Sequence, residues 1–350
     1  MIEIDGSKGE AGGQIVRTVL GLSVLLGKAF RVTHIRQGRP QPGLKAQHLQ
    51  CIEALKKLCV CDVQGATLGS EEITFIPGKF LPKNIEIDIG TAGSITLLLQ
   101  SLLLPCLFSK KKITLKIVGG TDVAWAMPID YFIEVVIPQL QRFCFLDVKL
   151  MKRGYYPKGG GSVEISFKPK QSLDQLQPFS LTERGELLYI KGVSHASKSL
   201  QEKQVAERQR EAALMRLKHL NVPVTINMEY TDTLSLGSGI TLWAIFSLKD
   251  EIDNAHPLRL GADALGEKNI PAEDVGAQAA EQLLKEISSG TPVDKHLADN
   301  LIPLLGLVGG SIRISEITPH TLTNISVVEQ FLDVKFEIDE EKKIIRCEKK

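Results

Sequence analysis

The chain has 350 residues and a formal net charge of +1, length enough for two or three domains and a large core. The near-neutral balance excludes a broadly basic nucleic-acid-binding module, so a polyanion must be met by a local cluster of cations. None of the six cysteines forms a Cys-x-x-Cys pair, which argues against a zinc site and for a reducing, cytoplasmic compartment. No basic and then apolar leader opens the sequence. The most hydrophobic run, 95–108, is broken by Gln100, Ser101 and Pro105. It falls short of the roughly 20 residues a bilayer demands, so it predicts a buried helix and no membrane partner.

Alternation predicts a first strand at Ile2-Glu3-Ile4-Asp5, a turn through Gly6, Gly9, Gly12 and Gly13, and an apolar helix to Leu26. The pattern returns at Ile85-Glu86-Ile87-Asp88, 83 residues on, with Gly90, Gly93 and an apolar helix to Leu104. Repetition at this distance points to duplicated α/β units. The first unit continues with a strand at 30–35, a helix at 42–59 with Pro42 in its first turn, and a strand at 73–76. The second continues with a strand at 112–118, a helix at 128–143, and strands at 146–150 and 162–167. Both read β-α-β-α-β-β. The rhythm breaks after Phe179, where strands at 187–190, 224–230 and 240–247 surround a charged helix at 200–220 whose charges predict a solvated face. Helices at 275–287 and 294–307, a strand at 311–314, a helix at 323–332 and strands at 334–338 and 343–347 then complete a third unit. The fold class is therefore α/β (α+β): three repeated βαβαββ units form a large domain, 1–184 and 276–350, and a small α/β domain, 185–275, is inserted in the third.

Seven segments carry residues suited to chemistry. Arg153-Gly154-Tyr155-Tyr156-Pro157-Lys158-Gly159-Gly160-Gly161 suits a backbone that approaches a ligand or another backbone closely, and its two cations suit phosphate; an ordinary glycine turn reads the same way. Gly6 to Gln14, with Arg17 one turn on, runs from a strand through glycines into a helix N-terminus, an anion-binding arrangement that matches neither a P-loop nor a Rossmann fingerprint. Glu10 beside an anion calls for a bridging cation such as Mg²⁺, or is simply a solvated loop glutamate. Arg36 and Arg39, in a stiff Pro/Gly loop ahead of Gln47 and His48, can present two guanidinium forks to one phosphate backbone. Gly90-Thr91-Ala92-Gly93-Ser94 precedes Gln100, whose amide among leucines needs a partner, a nucleobase edge or a backbone carbonyl. Gly119-Gly120-Thr121-Asp122, with Trp125 and Pro128, lines a base pocket or is a turn. His320 stands just ahead of a helix capped by Thr321 or Thr323, where the dipole welcomes phosphate and favours a neutral, nucleophilic imidazole. His296-Leu297-Ala298-Asp299-Asn300 opens another helix, with Asp299 placed for a ribose or for the helix start. His34, His195, His219 and His256 read as structural.

Taken together, these segments resemble the RNA 3'-terminal phosphate cyclase family. The resemblance is carried by Arg153-Gly154-x-x-Pro157-x-Gly159-Gly160-Gly161 and Asp5-Gly6-x-x-Gly9-Glu10-x-Gly12-Gly13-Gln14-x-x-Arg17. Ile35-Arg36-x-Gly38-Arg39-x-x-Pro42-Gly43-Leu44, Gly90-Thr91-Ala92-Gly93-Ser94, Gly119-Gly120-Thr121-Asp122 and His320-x-Leu322-Thr323-Asn324 extend it along nearly the whole chain. It implies three units like the C-terminal domain of bacterial translation initiation factor 3, each two helices on a four-stranded sheet. It also implies an ATP-dependent enzyme that makes a covalent histidine–AMP, passes AMP to the 3'-phosphate end of RNA, and closes a 2',3'-cyclic phosphate. His320 matches the nucleophile and Glu10 the metal-contacting carboxylate, for Mg²⁺ or Mn²⁺. Arg17, Arg36, Arg39 and Gln47 match positions that handle RNA phosphate or triphosphate. Gln100, Pro128 and His296, Leu297, Ala298, Asp299 and Asn300 match the adenosine pocket, although tyrosine often stands at the position of His296 in relatives. A homodimer stays open. So do two competing readings: a non-catalytic family member that binds pre-ribosomal RNA, which would lack the histidine, and an enolpyruvyl-transferase-like enzyme on a similar repeated architecture.

Overall fold

The structure, a computed structural model, describes residues 1–10, 12–170, 173–247 and 257–349; Ala11 and His256 lie outside these. The first unit comprises β1 (Ile2–Asp5), α1 (Gln14–Leu26), β2 (Phe30–Thr33), α2 (Ala46–Leu58), β3 (Cys59–Gln64) and β4 (Ile73–Phe80). The second runs β5 (Ile85–Asp88), α3 (Ile95–Leu107), β6 (Ile113–Gly119), α4 (Ile129–Tyr131), a π-turn at Phe132–Val136, α5 (Ile137–Leu140), β7 (Cys144–Lys152) and β8 (Gly161–Pro169). The third opens with β9 (Phe179–Leu181). An insert follows, made of β10 (Leu187–Ser197), α6 (Val205–Leu217), β11 (Val224–Thr231), β12 (Ser238–Phe246), β13 (Leu258–Leu265) and α7 (Ala272–Ser288). Then α8 (Lys295–Val308), β14 (Gly310–Arg313), α9 (Pro319–Phe331), β15 (Val334–Asp339) and β16 (Ile344–Lys349) close the unit.

The three units share one topology. Their four-stranded sheets are ordered β1-β2-β4-β3, β5-β6-β8-β7 and β9-β14-β16-β15. In each, the first strand pairs parallel with the second across a helix, and the last two form an antiparallel pair. The duplicated Ile-Glu-Ile-Asp letters are β1 and β5; in β5 the isoleucines point to the core and the acids to water, the period of a half-buried strand. Helix α3 is buried almost all round. Each of its Leu98, Leu99 and Leu102 contributes about 1.5–3 kcal/mol by leaving water. It packs on α1 and α2, while α1 also packs on α9 and α9 on α8, so helices from all three units converge.

Several element boundaries depart from expectation. Helix α2 begins at Ala46 and not at Pro42, because the preceding backbone is already committed: Gly43 N–H donates to Ile35 and Leu44 N–H to Ser70. Strand β9, too short for a period to show, pairs with β14. Helix α7, expected in the third unit, instead packs on α6, β12 and β13, so it covers the insert's own sheet, ordered β11-β10-β12-β13. Part of the charged face of α6 is satisfied by α7, through Arg208–Glu273 and Arg216–Glu281. The helix expected at 128–143 carries the π-turn because Pro138 has no N–H for the carbonyl of Glu134. That carbonyl accepts from Arg259 of β13 at 2.7 Å instead.

Candidate active site

His320 occupies the second position of α9, inside the first turn and not ahead of it. The cap is Thr318, whose hydroxyl accepts from Thr321 N–H at 3.1 Å; neither Thr321 nor Thr323 serves. Thr321 Oγ1 donates to Asp299 Oδ1 at 3.1 Å, and Thr323 Oγ1 turns back to the carbonyl of Pro319. The first glycine turn folds over this helix end. Gly9 has φ +66°, a conformation that favours glycine, and it lies against the Thr323 side chain. Glu10 N–H donates to Thr323 Oγ1 at 3.3 Å.

This docking brings Glu10 and Gln14 to one side of the imidazole. Nδ1 of His320 is hydrogen-bonded to Gln14 Oε1 and lies 2.6 Å from Glu10 Oε2. An amide oxygen only accepts, so Nδ1 carries the proton and Nε2 the lone pair. Burial pushes the pKa of His320 below its ordinary value; Glu10 opposes this, and Arg17 and Arg39 add to it. The ring is therefore neutral at pH 7. Arg39 Nη2 reaches Glu10 Oε1 at 3.4 Å. Arg17 donates from Nε to Gln100 Oε1 at 2.8 Å, which supplies the partner that Gln100 requires. Apart from its 2.6 Å contact with His320 Nδ1, the buried Glu10 Oε2 has no hydrogen-bond partner, so the carboxylate keeps capacity for a cation.

The remaining expected residues divide. A cleft between α1, α3, α5, α8 and α9 is lined by Gln14, Gln100, Asp299 and Asn300, with leucines behind them. Burial raises the Asp299 carboxyl to about 7. His296 stands edge-on to Tyr131, ring centroids 6.2 Å apart, outside that lining. Leu297 and Ala298 face the core, and Pro128 is buried at the start of α4. Arg36 has turned onto its own loop: Nη1 donates to the carbonyls of Gln41 and Gly43, at 2.7 and 3.3 Å. Gln47 bridges units one and two, accepting from Ser94 N–H at 2.8 Å and donating to Ser94 O at 3.1 Å. His48 behind it is buried and accepts from Lys45 N–H; burial, with Arg17, Arg36 and Lys45, lowers its pKa to about 3.

The chain belongs to the RNA 3'-terminal phosphate cyclase family. The family model described as RNA 3'-terminal phosphate cyclase matches residues 8–338. The RNA 3'-terminal phosphate cyclase of Pyrococcus furiosus is 47% identical over 340 residues, covering 97% of this chain and 95% of that protein. That of Methanosarcina barkeri is 45% identical and covers 97% of each chain, and that of Thermococcus kodakarensis is 43% identical over 97% and 95%. Glycines of the 153–161 run serve backbone packing. A Cβ on Gly159 would lie 2.6 Å from the carbonyl oxygen of Thr91, and one on Gly154 2.6 Å from that of Gly119. Arg153, expected to face phosphate, is 1% exposed and held by Asp122, Asp130 and Glu229, at 3.4, 2.7 and 2.8 Å. His195 completes this cluster, its Nδ1 bonded to Tyr155 Oη at 2.7 Å. Asp122, Asp130 and His195 have the spacing of metal ligands, but the Arg153 guanidinium already supplies the positive charge.

Sequence reasoning left two residues without a role. Gln14 lies inside the glycine motif, and its position one helical turn before Arg17 was the available signal. Asp294 caps α8: Oδ1 accepts from His296 N–H, Leu297 N–H and Tyr131 Oη, and Oδ2 from Gly261 N–H of the insert. Only the helix-start position of an aspartate could have hinted at it.

Proposed function

We infer that this chain uses ATP to convert RNA 3'-phosphate ends into 2',3'-cyclic phosphates by way of an adenylylated His320. The observation that carries the reading is a neutral imidazole, fixed through Nδ1 by Gln14 and Glu10 at the N-terminus of α9, with Arg17 and Arg39 beside it. Nε2 attacks the α-phosphorus of ATP; a P–N bond forms and the P–O bond to pyrophosphate breaks. The 3'-phosphate of the RNA then displaces His320 and takes AMP. Attack by the adjacent 2'-hydroxyl on that activated phosphate closes the ring and releases AMP.

Arg39 and Arg17, with the N-terminal dipole of α9, stabilise charge as it grows on the phosphate oxygens. Glu10, whose carboxylate faces His320, would hold Mg²⁺ or Mn²⁺ together with phosphate oxygens, since one carboxylate plus substrate phosphates suffices for such an ion. The ion would draw charge from the leaving pyrophosphate. Gln100, Asp299 and Asn300 supply polar edges for the adenosine, and His296 lies at the start of the helix that bears Asp299 and Asn300, edge-on to the buried Tyr131. Leu297, Ala298 and Pro128 shape that pocket from behind. Gln47 and Arg36 hold the loop and helix that aim Arg39. Cys51, Cys59, Cys61, Cys106 and Cys144 are free thiols, which suits a reducing cytoplasm.

An RNA oligonucleotide with a 3'-phosphate tests this. With ATP and Mg²⁺ or Mn²⁺ its end should become resistant to phosphatase, and His320→Ala should abolish the conversion. RNA binding without conversion, under either metal, would favour the non-catalytic reading.

A further inference from the structure

Three loops of the second unit and one of the insert meet at a single place. The bridge between Ser94 and Gly120, and the Thr96 hydroxyl donating to Met127 O at 2.7 Å, seat the loop 120–128 on the N-terminus of α3. The bridge between Asp122 and Tyr155 sets the glycine-rich loop beside it. Lys158 N–H donates to Ser235 Oγ at 3.0 Å, which ties in the insert. What these loops present to water is unusual. Trp125 is 98% exposed and held at φ +59°, a left-handed conformation that costs a bulky residue energy. Tyr156 is 76% exposed, and Lys158 is exposed two residues on. A strained backbone that keeps an indole wholly out of the core gains nothing for folding.

The position matters as much as the exposure. Ser94, at the same helix end, is clasped on its other side by Gln47, whose helix follows the Arg36–Arg39 loop. The N-terminus of α3 thus lies between the arginine side of the site and these rings. We propose that Trp125 and Tyr156, with Lys158, form a stacking platform for the unpaired nucleotides that precede the 3'-phosphate of the RNA. Flat aromatic faces beside a cation suit single-stranded nucleic acid, because every base offers a π-face and every linkage a charge. The nearest exposed acid on the insert loop, Asp232, is partnered by Lys198 at 3.8 Å, so the rim does not repel phosphate. This inference rests on the RNA end being the substrate.

The test separates the two readings. Trp125→Ala and Tyr156→Ala are compared with the unaltered protein on a 3'-phosphorylated decanucleotide and a 3'-phosphorylated dinucleotide, with adenylylation by ATP alone as a control. KM for the decanucleotide should rise roughly five- to a hundredfold, the range one stacked base is worth, with kcat unchanged. KM for the dinucleotide and the rate of adenylylation should not move, and Trp125→Phe and Tyr156→Phe should restore most of the loss. Binding is read independently of turnover. The only other tryptophan, Trp243, is buried, so decanucleotide should quench indole fluorescence in the unaltered protein and not in Trp125→Phe. Unchanged decanucleotide kinetics without quenching, or equal losses on both substrates, overturns the platform; the patch would then suit a protein partner. Quenching with adenylylation but no cyclisation would instead count against the enzymatic reading and leave the platform standing.

Discussion

At His320 the chemistry depends on which nitrogen is free. Gln14 and Glu10 both face Nδ1, and the amide oxygen of Gln14 fixes the proton there. Burial leads in keeping the ring neutral, reinforced by Arg17 and Arg39 and opposed by Glu10. The direction yields a prediction. In the proposed reaction only the neutral ring attacks, and its pKa lies below the ordinary 6.5, so adenylylation should rise with pH on the acid side and level off before neutrality. The apparent pKa of the single-turnover rate with saturating ATP measures this. A value at or above 6.5 would mean that Glu10 outweighs burial and the arginines.

Between elements, the insert is tied to the start of α8 by more than contact area. Asp294 caps α8 and accepts from Gly261 of β13, while Arg259 of the same strand takes the carbonyl that Pro138 frees in the π-turn. Tyr131, pressed between them, keeps its proton because burial and Asp294 both disfavour the phenolate. Replacing Asp294 by Ala would remove a helix cap and leave buried donors on Gly261 and Tyr131 unpaired. Denaturant unfolding should show a loss of about 2–5 kcal/mol, with Asp294→Asn, which still caps, losing less. A loss under about 1 kcal/mol would show that the brace carries no load. These ties were not legible in the sequence, because no local period marks a cap that also serves a distant strand. The alternating β1 and β5 and the apolar α3 were legible, since their patterns are local. The start of α2 and the placing of α7 depended on partners far along the chain.

Across the whole molecule, each repeat contributes one part of the site. The first unit supplies Glu10, Gln14, Arg17 and Arg39, the second Gln100, and the third His320 and Asp299. Arg17 and Arg39 stand at this junction, local cations through which a protein of net charge +1 would address a phosphate end. Motif spacing singled out residues that the fold brings together here, but not their hydrogen-bond partners. Arg36 and Arg153 look alike as loop cations in the sequence; one binds its own loop and the other sits inside a carboxylate cage. The most direct measurement follows the label of ATP marked at the α-phosphate, with Mg²⁺ or Mn²⁺, into the digested protein. An acid-labile, base-stable phosphoramidate should appear on Nε2 of His320 and be absent from a folded His320→Ala variant. Label that persists in that variant, or no covalent label with either metal, would contradict the assignment.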